Sequence, residues 1–410
     1  MNRRRFLAST VAVSAGAAVS RARAAPEGFV SVQGSRIVTA DGNELILKGI
    51  GLGNWWLPEG YMWKFNRAAS PRMIEAAVSE LIGPEDAVEF WRRFRDEYVT
   101  AADIQLLKRL GFNSVRPAID YRILSPEPHP DVWLEEGFQR IDRLVAQCRE
   151  AGLWVVLDMH GAPGGQTGEN IDNGWGYPFL FTSERSQKRA IEVWRKLAER
   201  YRDDPTVLGY ELLNEPIPNF DAYRELDSKL EPLFKRMTSA IREVDPNHLI
   251  ILGGAQWNTD FGVFGKPFDD KLVYAFHRYW TDKDPAVIAS YLDFRKRYDV
   301  PIYMSESGEN DDEWIRWFRE LLEKEDIGWS FWPYKKMDSP RGIVSFAPPE
   351  GWDEIVRFAN RETRGYKALQ EARPPLDAAG RSIERLLKNI RLENCTINRS
   401  YIEALGLGSS

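Results

Sequence analysis

Cysteine is nearly missing from this chain of 410 residues: only Cys148 and Cys395 are present. A disulfide framework therefore does not hold it together, although one bridge between the two is open outside the cytoplasm. Histidine is almost as scarce. His129, His160, His248 and His277 show neither His-x-His nor His-x-x-x-His spacing, so no metal site is expected and no cofactor is implied. No segment approaches 18 consecutive apolar residues, the length a spanning helix needs. No run of lysine and arginine forms a basic footprint, which argues against a nucleic-acid partner. A glycine-rich dinucleotide fingerprint, a repeat of fixed period and a low-complexity linker are missing too. What is there is an ordinary globular composition, 43% hydrophobic and 28% charged, with a net charge of −6.

The first two dozen residues read as a segment outside the fold. Arg3-Arg4-Arg5-Phe6-Leu7 leads into an alanine-, valine- and serine-rich stretch, and Ala22-Arg23-Ala24 offers the small residues of a cleavage site. Arg-Arg-x-Phe-Leu is similar to a twin-arginine signal, which implies export of a folded protein to the periplasm or beyond. Removing residues 1–24 takes away five arginines and no acid, so the net charge moves from −6 to −11. No membrane-integral segment is expected after that removal.

Residues 36–39 and 45–47 flank Asp41-Gly42-Asn43, the pattern of a hairpin with a tight turn. Beyond it, short apolar runs alternate with helical patterns. The runs span 47–51, 114–117, 154–160, 207–215, 248–253, 272–279, 301–307 and 328–333. Helices are expected over 101–110, 137–151, 183–202, 222–244, 286–298, 312–325 and 351–359. Eight strands with helices between most of them predict an α/β fold, a closed (β/α)8 TIM barrel with an N-terminal β-hairpin. Long insertions at 52–100 and 161–182 and a helical extension beyond 360 complete one domain over 25–410.

Buried strands should be apolar throughout, yet several end in polar groups: Arg116, Asp158 with His160, Asn214 with Glu215, His277 with Tyr279, Glu306, and Trp332. In a barrel such ends converge on one mouth, where polar groups read as catalytic. Glu215 and Glu306 fall on the fourth and seventh strands, facing each other across it. Two carboxylates flanking one bond are the requirement of glycoside hydrolysis: one protonates the leaving oxygen, and the other attacks or activates water.

At these residues the sequence resembles glycoside hydrolase family 5, the cellulase family of retaining β-glycosidases. Gly111-Phe112-Asn113-Ser114-Val115-Arg116-Pro117 matches its strand-two arginine motif, and Leu157-Asp158-Met159-His160-Gly161 its strand-three histidine. Asn214-Glu215-Pro216 matches the acid/base motif, His277-Arg278-Tyr279 the His-x-Tyr motif, Glu306 the nucleophile and Trp332 the strand-eight platform. The resemblance implies a covalent glycosyl-enzyme on Glu306, with Glu215 as acid and then base and the two carboxyl groups about 5–5.5 Å apart. Arg116 and Tyr279 are expected to hold Glu306 as the anion, while a more apolar setting lets Glu215 keep its proton. Asn214 would meet the sugar 2-hydroxyl, His160 and His277 would orient hydroxyls and carboxylates, and Trp332 would stack on a pyranose ring.

The stretch from Gly49 to Met62 is similar to the exo-β-1,3-glucanase branch, which places Glu59 and Trp55 among the substrate-binding residues. The implied substrate is a β-glucoside or short β-glucan. Trp55, Trp56, Trp63, Trp175 and Phe179 are expected to wall one end of the groove and so favour exo action. There are departures from the branch: Gly51 where asparagine is common, Ser305-Glu306-Ser307-Gly308-Glu309 at strand seven, and Lys335-Lys336 adding cations near the mouth. These leave room for an endo-acting glucanase or for lipid or phenolic aglycones. A carbohydrate-binding barrel without catalysis is the rival from another class, and nothing in the sequence points to a particular oligomeric state.

Overall fold

Eight parallel strands close on themselves in the computed structural model, which describes residues 28–362 and 365–408. The export signal read in residues 1–24 lies outside those residues. The strands are β1 (Lys48–Leu52), β2 (Ser114–Asp120), β3 (Trp154–Gly161), β4 (Val207–Glu211), β5 (Leu249–Gly253), β6 (Leu272–His277), β7 (Ile302–Gly308) and β8 (Gly328–Trp332). Each pairs with its neighbours in chain order. β8 returns to β1 with Trp329 opposite Lys48 and Ser330 opposite Gly49, which completes the predicted (β/α)8 barrel.

Side chains alternate between the barrel interior and the helix layer, and that alternation decides which residues reach the mouth. Val273 and Ala275 belong to the inner cluster that also holds Val156, Leu208, Ile251 and Tyr303, and His277 follows them on the same face of β6. The N-terminal end of the barrel is plugged by Val30, Ile37, Leu45 and Leu47, which join that cluster. Polar groups therefore have only the C-terminal end to open into.

The N-terminal hairpin is present, but its partners differ from those expected. Ser31–Gln33 pairs with Arg36–Val38, while the expected second arm is reduced to one bridge just ahead of residues 45–47, Val38 to Glu44, and a hydrogen bond from the Leu45 N–H to the Ile37 carbonyl at 2.8 Å. Leu45 and Leu47 are taken by the plug beneath the barrel, so that stretch cannot run on as a free hairpin arm.

Helices follow their local signals. Asp103 accepts from the Thr100 backbone N–H (2.8 Å) and hydroxyl (2.7 Å), fixing the start of Ala101–Leu110. Ser183 accepts from the Ser186 N–H ahead of Glu184–Tyr201. The 52–100 insertion carries two helices, Pro71–Ile82 and Pro84–Glu97, each opening on proline. Trp63 sits among Phe90, Trp91, Phe94 and Trp352, with ring centroids 5.2–6.3 Å away. Behind the barrel, the helix Leu376–Asn389 and a small sheet of Lys335–Met337, Val344–Phe346 and Thr396–Ile397 tie the tail to the same core, through Ile383, Leu386 and Leu387. Cys148 is buried in the helix Glu135–Ala151 and Cys395 lies in the tail; both thiols are free.

Candidate active site

Arg116 anchors the mouth. Fully buried on β2, its guanidinium forks onto both oxygens of Glu211 (2.6 and 3.0 Å) and donates to Glu306 Oε2 (2.7 Å) and Asn214 Oδ1 (2.7 Å). It also lies 3.2 Å from Asp158 Oδ2. One cation facing three buried carboxylates is tolerable only because nearly every donor has an acceptor.

That arrangement fixes its neighbours. With its oxygen on Arg116, Asn214 turns its amide nitrogen to His160 Nε2 at 3.2 Å, so the His160 proton belongs on Nδ1, which lies 2.7 Å from Asp158 Oδ2. Burial pulls the His160 pKa down to about 4 and pushes Asp158 up to about 7, so the imidazole is neutral near pH 7.

Glu306, on β7, has both oxygens engaged: Oε2 by Arg116 and Oε1 by the Tyr279 hydroxyl at 2.9 Å. Glu215 is held differently. β4 ends at Glu211, four residues short of it, and residues 212–217 form a loop rather than the continued strand that was expected. The Asn214 N–H donates to the Met159 carbonyl (3.1 Å), and the Ile217 N–H to Gln166 (3.0 Å). The Gln166 amide in turn donates to the His160 and Asn214 carbonyls. The loop turns because Glu215 and Ile217 adopt left-handed backbone, φ 44° and 61°, a costly choice for side chains of this size.

Burial raises the Glu215 pKa to about 7, well above a free carboxyl. Its Oε1 lies 2.8 Å from His277 Nδ1, and His277 Nε2 lies 2.9 Å from the Ser305 hydroxyl. Burial lowers the His277 pKa to about 4, leaving the ring neutral at pH 7. A neutral ring between a carboxyl and a hydroxyl can pair with either protonation state of Glu215 by changing tautomer, since serine both donates and accepts. An oxygen from Glu215, one from Glu306 and a nitrogen from His277 all lie within 4.8 Å of one another. Three such atoms could hold a cation only by displacing hydrogen bonds that Arg116, Tyr279 and Ser305 already make.

A cavity of about 640 Å³ opens over this pair, with Tyr61, Trp257, Trp280, Glu309 and Trp332 in its wall. Trp332 lies nearly parallel to the His160 ring (5.3 Å, 6°) and donates from Nε1 to the Tyr61 hydroxyl at 2.8 Å. Gly51 and Gly53 make room for it: a Cβ on either would come within 2.3 or 2.1 Å of the indole. Glu59 is also in the wall, held by Asn54, whose oxygen accepts from Trp63 Nε1 (2.6 Å) and the Glu59 N–H (3.3 Å). Burial, then the charges of Glu306, Glu309 and Glu215, push the Glu59 carboxyl far above its ordinary pKa, and its Oε1 has no hydrogen-bond partner among the described residues.

Of the residues expected here, Arg116, His160, Asn214, Glu215, His277, Tyr279, Glu306, Trp332 and Glu59 come together, and Trp55 does not. Trp55 stacks on Trp56 at 4.0 Å and donates to the Arg95 carbonyl at 2.7 Å, so the helix Pro84–Glu97 has claimed it for packing. Trp56, Trp63, Trp175 and Phe179 do not line the cavity either. Lys335 is not a cation of the mouth: it is buried behind β8, 2.9 Å from Asp103 and 2.8 Å from the Ile390 carbonyl. Lys336 does approach the mouth, paired with Glu309 and 4.5 Å from the Tyr61 ring.

Sequence reasoning missed Glu211, Tyr61, Trp257, Trp280 and Glu309. Glu211 had a signal, a charge inside a buried strand that needs a buried partner. Trp257 and Trp280 had none, because each sits in a loop on left-handed backbone, φ 62° and 51°, outside any periodic pattern.

Comparison with known proteins fits this geometry. Residues 80–338 match the family described as Cellulase (glycosyl hydrolase family 5). A beta-xylosidase of Phanerodontia chrysosporium is 31% identical over 344 residues, 75% of this chain and 71% of that protein. Endoglucanase C of Acetivibrio thermocellus is 27% identical over 312 residues, 61% of this chain and 88% of its own length. The crystal structure of an endogalactoceramidase shares the fold, with a TM-score of 0.61 at 18% identity over 92% of this chain and 84% of that one.

Proposed function

The chain belongs to glycosyl hydrolase family 5 and is a retaining β-glycoside hydrolase, and from that premise we propose that Glu306 is its nucleophile, that Glu215 is its acid and then its base, and that it releases sugars from the ends of β-glucosides or short β-glucans. One observation carries the assignment. The two carboxyl groups bring oxygens within 4.8 Å of each other, the close spacing of a carboxylate that attacks the sugar itself and not the wider one that admits a water behind it, and only one of the two is paired with an arginine.

In the first step Glu306 attacks the anomeric carbon. The bond to the leaving oxygen breaks, and Glu215 gives that oxygen its proton. An alcohol departs and a glycosyl ester remains on Glu306. In the second step water attacks the same carbon, Glu215 takes the water's proton, and the ester bond breaks to return the Glu306 carboxylate. Two inversions leave the product in the β configuration. Arg116 and Tyr279 aim the Glu306 oxygens, and the second N–H of Asn214, the one His160 does not use, has no acceptor among the described residues and is left for the sugar 2-hydroxyl.

Chain-end action is supported by the wall around Glu59. A buried carboxyl with a raised pKa is a hydrogen-bond donor as well as an acceptor, and beside it Tyr61 and the Lys336–Glu309 pair add polar groups suited to the hydroxyls of one terminal sugar. Export by a twin-arginine route is proposed from residues 1–24 alone; replacing Arg3 and Arg4 by lysine is expected to keep the protein in the cytoplasm. The direct test is the anomeric configuration of the first-formed sugar, followed by NMR on aryl β-glucosides, β-xylosides, and laminari- and cello-oligosaccharides. β-Product released one sugar at a time is expected. α-Product would overturn the role of Glu306, and mid-chain cleavage of long polymers would replace the exo reading with an endo one.

A further inference from the structure

We propose that a ridge of aromatic side chains leading out of the cavity on the Glu215 side binds an alkyl-chain aglycone, so that the enzyme prefers β-glycosides with long apolar leaving groups. The inference rests on the preceding assignment of Glu215 as the acid. Whatever oxygen Glu215 protonates belongs to the leaving group, so the aglycone must depart past the loop that carries Glu215.

That loop is where the ridge begins. The Trp257 N–H donates to the Ile217 carbonyl (3.2 Å), two residues beyond Glu215, and Trp257 lines the cavity. From Trp257 the rings run on through Phe220, Tyr223, Tyr177 and Phe179, in successive centroid steps of 6.2, 6.0, 5.5 and 5.0 Å. Phe220 is 44% exposed and Phe179 45%. A line of aromatic rings joined to a catalytic cavity, half-buried at Trp257, Tyr223 and Tyr177 and exposed at Phe220 and Phe179, is the kind of apolar surface a domain keeps for a ligand.

Its chemistry favours hydrocarbon over sugar. The two exposed rings, Phe220 and Phe179, carry no polar atom, and the Tyr223 hydroxyl between them is turned to the Gly176 carbonyl at 3.3 Å. Consecutive rings meet at 83°, 49°, 87° and 58°, so no two neighbours present the coplanar faces on which successive pyranoses could stack. An alkyl chain has no such demand, because ring edges and faces remove its methylenes from water equally well.

The test measures kcat/KM on methyl, butyl, hexyl and octyl β-glycosides, whose alcohols leave about equally well, with 4-nitrophenyl β-glycoside as the reference. The protein is compared with its Phe220→Ser/Phe179→Ser variant, whose changes lie on the surface. The original enzyme is expected to gain about two- to fourfold per methylene until the ridge is covered. The variant should lose most of that slope and keep its methyl and 4-nitrophenyl rates within about twofold. A flat chain-length profile with the methyl glycoside still turned over overturns the ridge proposal and leaves the catalytic reading standing. An unchanged slope in the variant, or a loss confined to laminari- and cello-oligosaccharides, also overturns it. No turnover of any of these glycosides overturns the catalytic reading and this proposal together.

Discussion

Replacing Glu215 by alanine removes the proton donor while leaving Glu306, Arg116 and Tyr279 in contact, because none of their mutual hydrogen bonds passes through Glu215. General acid catalysis contributes about 10²–10⁴-fold, or about 2.7–5.4 kcal/mol of transition-state stabilisation. An alkyl β-glycoside, whose alkoxide leaves only with a proton, should lose that whole factor. A 2,4-dinitrophenyl glycoside, whose leaving group departs as an anion, should lose less than about tenfold in the glycosylation step. The pH dependence provides an independent check. Burial raises the Glu215 pKa to about 7, so the acid form survives to higher pH than in a free carboxyl and is lost above neutrality. The original enzyme should therefore lose kcat/KM on alkyl glycosides above about pH 7, approaching about tenfold per pH unit, and the variant should show no such limb. His277 and His160, held neutral with pKa values near 4, contribute no limb there. Stopped-flow and steady-state rates on the two substrates from pH 4 to 9, roughly the span where these groups titrate, make the comparison. Equal losses on both substrates would refute the reasoning, whereas a limb near 7 that persists without Glu215 would belong to Asp158, whose carboxyl burial also raises to about 7.

Arg116→Met should destabilise the fold by about 3–5 kcal/mol, because it strands Glu211, Glu306 and Asp158 in the interior without their shared cation. Denaturant titration reads this, and a change below about 1 kcal/mol would mean that the network is hydrated. Gly53→Ala should lower kcat/KM about 10- to 100-fold and cost about 1–3 kcal/mol of stability, since its Cβ would fall 2.1 Å from the buried Trp332 ring and push it off Tyr61. Unchanged kinetics would remove Trp332 from substrate contact. Dialysis against a chelator should leave activity intact; a loss restored by a divalent cation would turn Glu215, His277 and Glu306 into metal ligands.

The barrel was legible because its signals are local and repeated: short β-branched runs, capped helices and polar residues at the strand ends. The site was legible for the same reason, since Arg116, His160, His277 and Glu306 inherit their direction from strand alternation. What escaped depends on which of several partners wins a side chain. Trp55 follows β1 closely, yet the insertion helix Pro84–Glu97 offers its indole a carbonyl and Trp56 a face to stack on, and packing prevailed. Lys335 reads as a surface cation until Asp103 and two backbone carbonyls from distant segments surround it. The strand expected to reach Glu215 stops at Glu211, because the left-handed residues that aim the carboxyl cannot remain in a ladder. Pairings between residues far apart in sequence decided each of these, and periodicity carries no information about them.

Trapping the covalent intermediate tests the central assignment most directly. Incubation with a 2-deoxy-2-fluoro-β-glycoside bearing a good leaving group, followed by proteolysis and mass spectrometry, should add one fluorosugar to the peptide containing Glu306 and to no other. A label on a different carboxylate, or full turnover of ordinary substrates with no trapped adduct and an α-configured product, would contradict it.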